Sequence, residues 1–84
     1  MNRIEIYTRP SCPYCSHAKA LLQARNLSYE EIDASERKEL ESMLQRTNGR
    51  TFPQIVINDR PVGGYSELKQ LDESGQLQIL VAKR

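Results

Sequence analysis

The organisation of this chain is set by residues 4–15, which read IEIYTRPSCPYC. The alternating isoleucines Ile4 and Ile6 predict a short buried strand from Arg3 to Tyr7, with both isoleucines on one face. Cys12 and Cys15 follow where a helix-like stretch begins, close enough in sequence for oxidation to join them in a small ring. The first turn of a helix carries unpaired N–H groups, which favour a thiolate at Cys12. The pattern therefore indicates thiol–disulfide exchange.

Length and composition predict one small globular domain, residues 1–84. The chain has 84 residues, of which 38% are hydrophobic and 27% charged, and this suits a modest core. The net charge of +1 gives no reason to expect nucleic acid or a membrane surface as a partner. No apolar run approaches the ~18 residues of a membrane span, and no secretory h-region precedes the first strand. We therefore expect a cytoplasmic protein, in which a C-x-x-C pair is redox-active or metal-binding rather than a structural disulfide.

The segment after the cysteines predicts a strand–helix–strand unit. Ala18, Leu21 and Leu22 share one helical face, and Asn26 is a candidate left-handed stop. Leu27 to Ile32 then reads as a second strand. A right-handed crossover makes this strand parallel to the first.

The second half of the chain predicts a further helix, a hairpin and two closing helices. Asp33 or Ser35 is expected to cap a helix that ends at Asn48-Gly49. Asn58-Asp59 is expected to join two antiparallel strands, and Pro61 marks the last strand as an edge. The expected elements are strands at Gln54–Ile57 and Arg60–Val62 and helices at about 66–74 and 77–81. The fold class is therefore α/β, with a four-stranded mixed sheet flanked by helices on both faces.

The two cysteines have different expected roles. Cys12, at the N-cap or in the first turn, is the expected nucleophile, and Pro13 suits the first helical position because its missing N–H would be unpaired there anyway. Arg9 would place a positive charge near the sulfur or near an anionic substrate. Cys15 lies one turn further into the helix, less exposed, and would resolve a mixed disulfide by attacking Cys12. Such chemistry needs no tightly bound cofactor, only an external thiol.

Two other uses of the cysteine pair are open at this point. A zinc site needs about four ligands, and the chain adds only His17, whose ring is expected to point away from Cys12; we therefore expect no metal site and no catalytic role for this histidine. An inert buried pair is disfavoured because Pro13 and Tyr14 hold the cysteines in a turn. Tyr14 is expected to line the reactive site, since aromatic surfaces concentrate at binding sites.

The segment Thr51-Phe52-Pro53 is a second candidate element of the site. Pro53 cannot donate to a sheet ladder and so marks the start of a strand. An X–Pro bond is cis in ~5–6% of cases, so the residues permit a cis bond between Phe52 and Pro53 without requiring one. A cis bond there would direct the backbone groups of Phe52 outward, towards an extended peptide.

Three segments together resemble the small dithiol glutaredoxins. These are Cys12-Pro13-Tyr14-Cys15, Thr51-Phe52-Pro53 and Gly63-Gly64-Tyr65-Ser66, in the same order and over nearly the whole chain. The resemblance implies a thioredoxin-like fold with strand order 2-1-3-4 and a cis proline facing the dithiol. It also implies glutathione as co-substrate, with glutathionylated or disulfide-containing proteins as partners of a monomer.

The resemblance also implies roles for individual residues. Cys12 would hold the glutathione mixed disulfide and Cys15 would resolve it. Arg9 occupies the position of a basic residue, often lysine, that meets the glycyl carboxylate, and Phe52 would pair through its backbone with the cysteinyl unit. The γ-glutamyl end would lie at a helix N-terminus, where N–H groups suit a carboxylate. The implied glutathione-binding residues are Arg9, Tyr14, Thr51, Phe52, Pro53, Gly64, Tyr65 and Ser66.

Two departures from the family pattern leave alternative functions open. The family commonly has a small residue or cysteine and then aspartate where this chain has Tyr65 and Ser66, and serine cannot pair ionically with the ammonium group of the ligand; Glu67 is one position late. Phe52 is also bulkier than the common valine. One alternative is a protein electron donor, for example to a ribonucleotide reductase, recharged by a thioredoxin reductase. Another is a glutathione-ligated iron–sulfur carrier, against which Pro13 and Cys15 both count.

Overall fold

The computed structural model describes residues 3–82 and contains eight elements of secondary structure. Within these residues, no helix is long and apolar enough to cross a bilayer. The elements are β1 (Ile4–Thr8), α1 (Pro13–Ala24), β2 (Glu30–Asp33), α2 (Arg37–Thr47), β3 (Gln54–Ile57), β4 (Arg60–Gly63), α3 (Tyr65–Glu73) and α4 (Gln76–Ala82).

The four strands form one mixed sheet in the order β2-β1-β3-β4. β1 pairs in parallel with β2 and antiparallel with β3, and β3 pairs antiparallel with β4. The sequence-based prediction of the sheet and of its order is therefore confirmed. β1 lies inside the sheet, and the short loop of residues 9–12 connects it to α1, with Cys12 as the last loop residue.

Side chains of β1 alternate between two hydrophobic clusters, one on each face of the sheet. Ile4 and Ile6 pack with Ala18 and Leu22 of α1 and with residues of α3 and α4. Tyr7 points to the other face, where it packs with Met43 of α2. This alternation is the period-2 pattern of a strand, and it places helices on both faces of the sheet, as predicted.

Several element boundaries differ from the prediction, among them those of β1 and β2. β1 begins and ends one residue later, at Ile4 and Thr8, and β2 begins at Glu30 rather than Leu27. Leu27 belongs instead to the turn that closes α1: its N–H donates to the Leu22 carbonyl at 3.0 Å, and Asn26 has the expected left-handed conformation at φ 57°.

The predicted cap of α2 by Asp33 or Ser35 is wrong. The N-cap is Glu36, which makes no side-chain capping bond. Asp33 accepts a hydrogen bond from the Ser35 N–H at 2.9 Å, so this carboxylate stabilises the turn before the helix rather than the helix itself. The helix ends at left-handed Asn48, as predicted.

The hairpin between β3 and β4 forms as expected. Asn58 and Asp59 both have positive φ, at 50° and 68°, which is typical of the two-residue turns that match strand twist. Pro61 lies in β4, at the edge of the sheet. An edge strand tolerates proline because its missing N–H is not needed for a hydrogen bond to a further strand.

A buried ion pair ties α2 to the centre of the sheet. Glu5 lies on the α2 face of β1 with its side chain only 4% exposed, and Arg46 donates to both of its carboxylate oxygens at 2.9 and 3.0 Å. Arg46 also donates to the Tyr7 hydroxyl at 2.8 Å. The hydrogen bonds from Arg46 hold the pKa of Glu5 below its usual value, against the opposing effect of burial.

We expect Arg46→Met to destabilise the fold by about 2–4 kcal/mol, because the buried Glu5 carboxylate loses the partner that donates to both of its oxygens and keeps only the exposed Arg3, at 3.4 Å, as a counter-charge. The measurement is urea unfolding at neutral pH. Arg37→Met is the matched control: Arg37 lies on the same helix in an exposed pair with Glu41, and losing such a pair costs at most about 1 kcal/mol. The double variant Glu5→Met, Arg46→Met should recover most of the loss. Equal losses in the two arginine variants would contradict this account.

The pH dependence of unfolding should report the same pair. A carboxylate whose folded pKa is lowered adds stability above its ordinary value, 4.5 for Glu5, and that stability is lost as the pH falls through the folded pKa. Glu5→Gln should therefore flatten the acid limb of the stability profile.

Candidate active site

The start of α1 holds the two sulfurs at the end of β1. Cys12 is the N-cap, with φ −110° and ψ 104°, and Pro13 occupies the first helical position. The Cys15 N–H donates to the Cys12 sulfur at 3.2 Å. A side chain that accepts a bond from the first turn satisfies an unpaired donor, and the same bond stabilises negative charge on the sulfur. Both positions agree with the sequence-based prediction.

The two thiols, both free in this structure, differ in exposure. Cys12 is half-exposed, whereas Cys15 is 2% exposed. Burial, reinforced by a hydrogen bond to the Cys12 sulfur, raises the pKa of the Cys15 thiol to about 11; a backbone hydrogen bond with Arg9 and the charge of Lys19 act in the opposite direction. Cys15 is therefore a protonated, protected thiol at neutral pH, beside a sulfur that solvent can reach.

A cavity of about 670 Å³ adjoins both sulfurs. We call it the thiol cavity. Its lining consists of Thr8, Arg9, Pro10, Ser11, Cys12, Pro13, Cys15, Ser16, Lys19, Glu31 and Asp33. Sequence reasoning identified the cysteines and Arg9 but not Thr8, Lys19 or Glu31. Lys19 is four residues after Cys15 on a helix, a spacing that places both on one face, and this was the available signal.

A separate, smaller groove of about 180 Å³ lies beside the start of α1. We call it the aromatic groove. It contains every residue predicted to bind glutathione except Arg9, together with Glu67. The full lining is Tyr14, Thr51, Phe52, Pro53, Gly64, Tyr65, Ser66 and Glu67. The structure thus brings together three segments that are distant in sequence. The Phe52–Pro53 bond is cis, as the family resemblance implied.

Arg9 lies where the two cavities meet. It lines the thiol cavity, and its guanidinium lies 5.4 Å from the centre of the Phe52 ring, which lines the aromatic groove. This is a cation–π contact. Arg9 is therefore placed between the sulfurs and the groove, although it does not line the groove itself.

The first turn of α3 forms one end of the aromatic groove. Gly64 is the N-cap, and its N–H donates to the Glu67 carboxylate at 2.8 Å. Ser66 makes no capping bond. Glu67 is therefore engaged in closing its own helix turn. A Cβ at Gly64 would lie 3.4 Å from the Pro53 carbonyl oxygen, so glycine allows α3 to begin close to the proline segment.

Three rings meet beside the groove. Tyr14 lies 6.1 Å from both His17 and Tyr65, and His17 lies 5.7 Å from Tyr65, measured between ring centres. Tyr14 is 62% exposed. The ring cluster of His17 with the tyrosines was missed in the sequence, because Tyr65 arrives from α3 and no local spacing links it to α1.

The acidic and sulfur-bearing residues do not form a metal cluster in the part of the chain described. Within residues 3–82, no group of three or more His, Cys, Asp or Glu side chains is arranged to hold a metal ion. The absence of a metal site stays a prediction.

We expect a thiol-alkylating reagent to modify the native protein once, at Cys12, at neutral pH. Cys15 is both buried and protonated, so it should react only after unfolding or as the pH approaches about 11. Mass spectrometry of the intact protein and of its peptides gives the count and the position. The control is the same reaction in concentrated denaturant, where both thiols should react. Modification of native Cys15 before Cys12 would contradict the assignment.

Known proteins share both the sequence and the fold. The glutaredoxin family model matches residues 4–62. Glutaredoxin 3 of Escherichia coli strain K12 is 42% identical in an alignment of 83 positions that covers 96% of this chain and 99% of the relative. The solution structure of glutaredoxin from Brucella melitensis is 44% identical, covers 94% of this chain and 87% of its own, and superposes with a TM-score of 0.82. The crystal structure of a buckwheat glutaredoxin–glutathione complex is 25% identical, covers 96% and 77%, and has a TM-score of 0.85.

These neighbours confirm the expected thioredoxin-like fold. The family match spans more than half of the chain, and the relatives match nearly all of it. The chain therefore belongs to the glutaredoxin family of thiol–disulfide oxidoreductases.

Proposed function

We propose that this protein reduces glutathione mixed disulfides and protein disulfides through Cys12 and Cys15, with reduced glutathione as the electron donor. The observation that carries the proposal is the asymmetry of the two thiols. Cys12 is accessible and accepts the Cys15 N–H at 3.2 Å, whereas Cys15 is buried and its raised pKa keeps it protonated. The Cys12 sulfur is suited to attack a substrate, and the Cys15 thiol is suited to the later resolving step.

The reaction on a mixed disulfide requires Cys12 alone. The Cys12 thiolate attacks the glutathionyl sulfur, a Cys12–glutathione disulfide forms, and the protein thiolate leaves and takes a proton from solvent. The thiolate of a second glutathione then attacks the glutathionyl sulfur of that disulfide. Oxidised glutathione is released and Cys12 is restored. One reduced glutathione is consumed per substrate: its sulfur becomes one half of oxidised glutathione, the glutathionyl group of the substrate becomes the other half, and the protein sulfur becomes a thiol.

The reaction on a protein disulfide requires both cysteines. Cys12 attacks one substrate sulfur and forms a mixed disulfide with it, and the other substrate sulfur leaves as a thiolate. Cys15 then attacks Cys12 and releases the substrate sulfur that was bound to it. The protein substrate leaves with two thiols, and the enzyme is left with a Cys12–Cys15 disulfide. Two glutathiones reset the pair.

The aromatic groove is the proposed binding site for the glutathione peptide. Arg9 beside Phe52 is suited to the glycyl carboxylate, Phe52 would offer its backbone to the cysteinyl unit, and the start of α3 would receive the γ-glutamyl carboxylate. The proposed contact residues are Arg9, Tyr14, Thr51, Phe52, Pro53, Gly64, Tyr65 and Ser66. Support comes from their convergence in one groove and from the related buckwheat structure, which is described as a complex with glutathione.

The proposed setting follows from the same chemistry. A supply of reduced glutathione is found in a reducing compartment, so we propose a cytoplasmic protein that acts as a monomeric single domain. Its proposed partners are glutathione and glutathionylated or disulfide-containing proteins, with no nucleic acid or membrane partner and no tightly bound cofactor.

We expect Cys12→Ser to abolish all turnover, whereas Cys15→Ser should retain removal of glutathione from a glutathionylated peptide and lose reduction of a protein disulfide. The reason is that only the second reaction needs the resolving thiol. The measurement is a glutathione-coupled assay with both substrates. Equal loss in the two variants on the glutathionylated peptide would contradict the proposal.

The choice of reductant is tested with the wild-type protein in the same assay. Re-reduction of the Cys12–Cys15 disulfide by glutathione supports the proposal. Re-reduction by a flavoprotein thioredoxin reductase, and not by glutathione, would instead support a dedicated electron donor. This comparison of reductants is necessary because Tyr65 and Ser66 depart from the residues that the family commonly has at these positions.

We expect Ser66→Asp to lower the KM for a glutathionylated peptide by up to about fivefold, the effect of ~1 kcal/mol for an exposed ion pair. Aspartate at the start of α3 would supply the negative charge for the ligand ammonium, and it suits the positive end of the helix dipole. Ser66→Asn, of the same shape without the charge, is the control and should leave KM near that of the wild type. Equal effects of the two variants would show that charge is not the deciding factor.

A further inference from the structure

The thiol cavity contains an ion pair that the proposed reaction does not use. Lys19 of α1 donates to a carboxylate oxygen of Glu31 of β2 at 3.0 Å, and the Thr8 hydroxyl donates to the same oxygen at 2.8 Å. The carboxylate is therefore fixed from two directions. The Thr8 and Lys19 hydrogen bonds hold the pKa of Glu31 below its usual value, and the bond to Glu31 raises the pKa of Lys19. Both groups are charged at neutral pH.

The Lys19–Glu31 ion pair lines the same cavity as Cys15, the thiol that performs the resolving step. Cys15 must lose its proton before it can attack Cys12, and burial raises the pKa of that thiol. Lys19 is one helical turn from Cys15 on the same face, and both line the thiol cavity. The ammonium charge acts against burial and lowers the pKa of that thiol.

We propose that Lys19 is a positioning residue for the resolving step: its ammonium group stabilises the Cys15 thiolate, and Glu31, held by Thr8, limits how strongly it does so. The inference rests on the proposed function, because it concerns only the step in which Cys15 attacks. In that step the Cys15 proton passes to water in the cavity, the Cys15–Cys12 bond forms, and the bond from Cys12 to the substrate sulfur breaks. The substrate thiolate takes a proton from solvent.

The other charges of the cavity do not replace Lys19. Arg9 lies against the Phe52 ring, and Asp33 is bonded to the Ser35 N–H and is charged, since the hydrogen bonds with Ser35 lower its pKa. Cys12 carries no charge while it is joined to the substrate. Lys19 is therefore the side-chain cation of the cavity that lowers the pKa of Cys15, and Glu31 is its ion-pair partner.

The two members of the pair predict effects of opposite sign. Lys19→Gln removes the cation and leaves the Glu31 carboxylate, so the Cys15 thiolate becomes harder to form. Glu31→Gln removes the anion and leaves the cation, so the thiolate becomes easier to form. A bridge that only joins α1 to β2 would be broken equally by both substitutions, and both would then shift the reaction in the same direction.

The test times the resolving step directly. The substrate is two peptides, or arms, joined by a disulfide, with a fluorophore on one arm and a quencher on the other. Each arm also carries its own reporter, so that the release of each arm is measured separately. Attack by Cys12 releases the first arm at a rate that depends on enzyme concentration; attack by Cys15 releases the second at a rate that does not. The second rate is followed from neutral to alkaline pH in wild type, Lys19→Gln, Glu31→Gln and Lys38→Gln. Lys38 lies on α2 and loses the same charge outside the thiol cavity.

We expect the second rate to fall about threefold in Lys19→Gln and to rise about threefold in Glu31→Gln at neutral pH, since a tenfold change in thiolate fraction is partly offset by altered nucleophilicity. The pH profile should move to higher pH in the first variant and to lower pH in the second, and Lys38→Gln should match the wild type. Shifts of the same sign, or no shift, would overturn the inference while first-arm release continues. Loss of first-arm release in the wild type would instead overturn the proposed function. Urea unfolding of each variant identifies any change caused by lost folding.

Discussion

One hydrogen bond, from the Cys15 N–H to the Cys12 sulfur, connects the fold to its chemistry. Its 3.2 Å length requires Cys12 at the N-cap and Cys15 within the first turn. That geometry in turn requires β1 to end at Thr8 and α1 to begin at Pro13. The accessible Cys12 sulfur accepts this hydrogen bond and the backbone of the buried Cys15 donates it, so a single contact distinguishes the two cysteines. The central position of β1 in the sheet keeps this contact rigid.

The sequence was sufficient for those features that depend on local pattern. The alternation at Ile4 and Ile6, the left-handed stop at Asn26 and the turn at Asn58-Asp59 each carry their own physical signature within a few residues. The order of the strands came from the resemblance to the glutaredoxins and not from these patterns. The groove residues were likewise predicted from the resemblance, and they converge because the segments that carry them lie at the ends of neighbouring strands and helices.

Features that depend on contacts between distant elements could not be predicted. Glu5 is one polar residue in an apolar run, and its burial depends chiefly on Arg46, which is 41 residues away and donates to both of its carboxylate oxygens. Glu31 likewise acquires its importance from Thr8 and Lys19, on two other elements. The cap of α2 was wrong because Asp33 and Ser35 bond to each other in a tighter turn. Competition among nearby polar groups is decided by geometry that residue types alone do not contain.

The buried thiol has a consequence for survival under oxidative stress. Peroxide converts an accessible thiolate to a sulfenic acid, and a second oxidant molecule would carry that group to the irreversible sulfinic form. Here the neighbouring Cys15 thiol, shielded from the oxidant itself, can condense with the sulfenic acid of Cys12 and expel water. The oxidation then stops at a disulfide between Cys12 and Cys15, and any thiol that can reduce this bond restores the two cysteines.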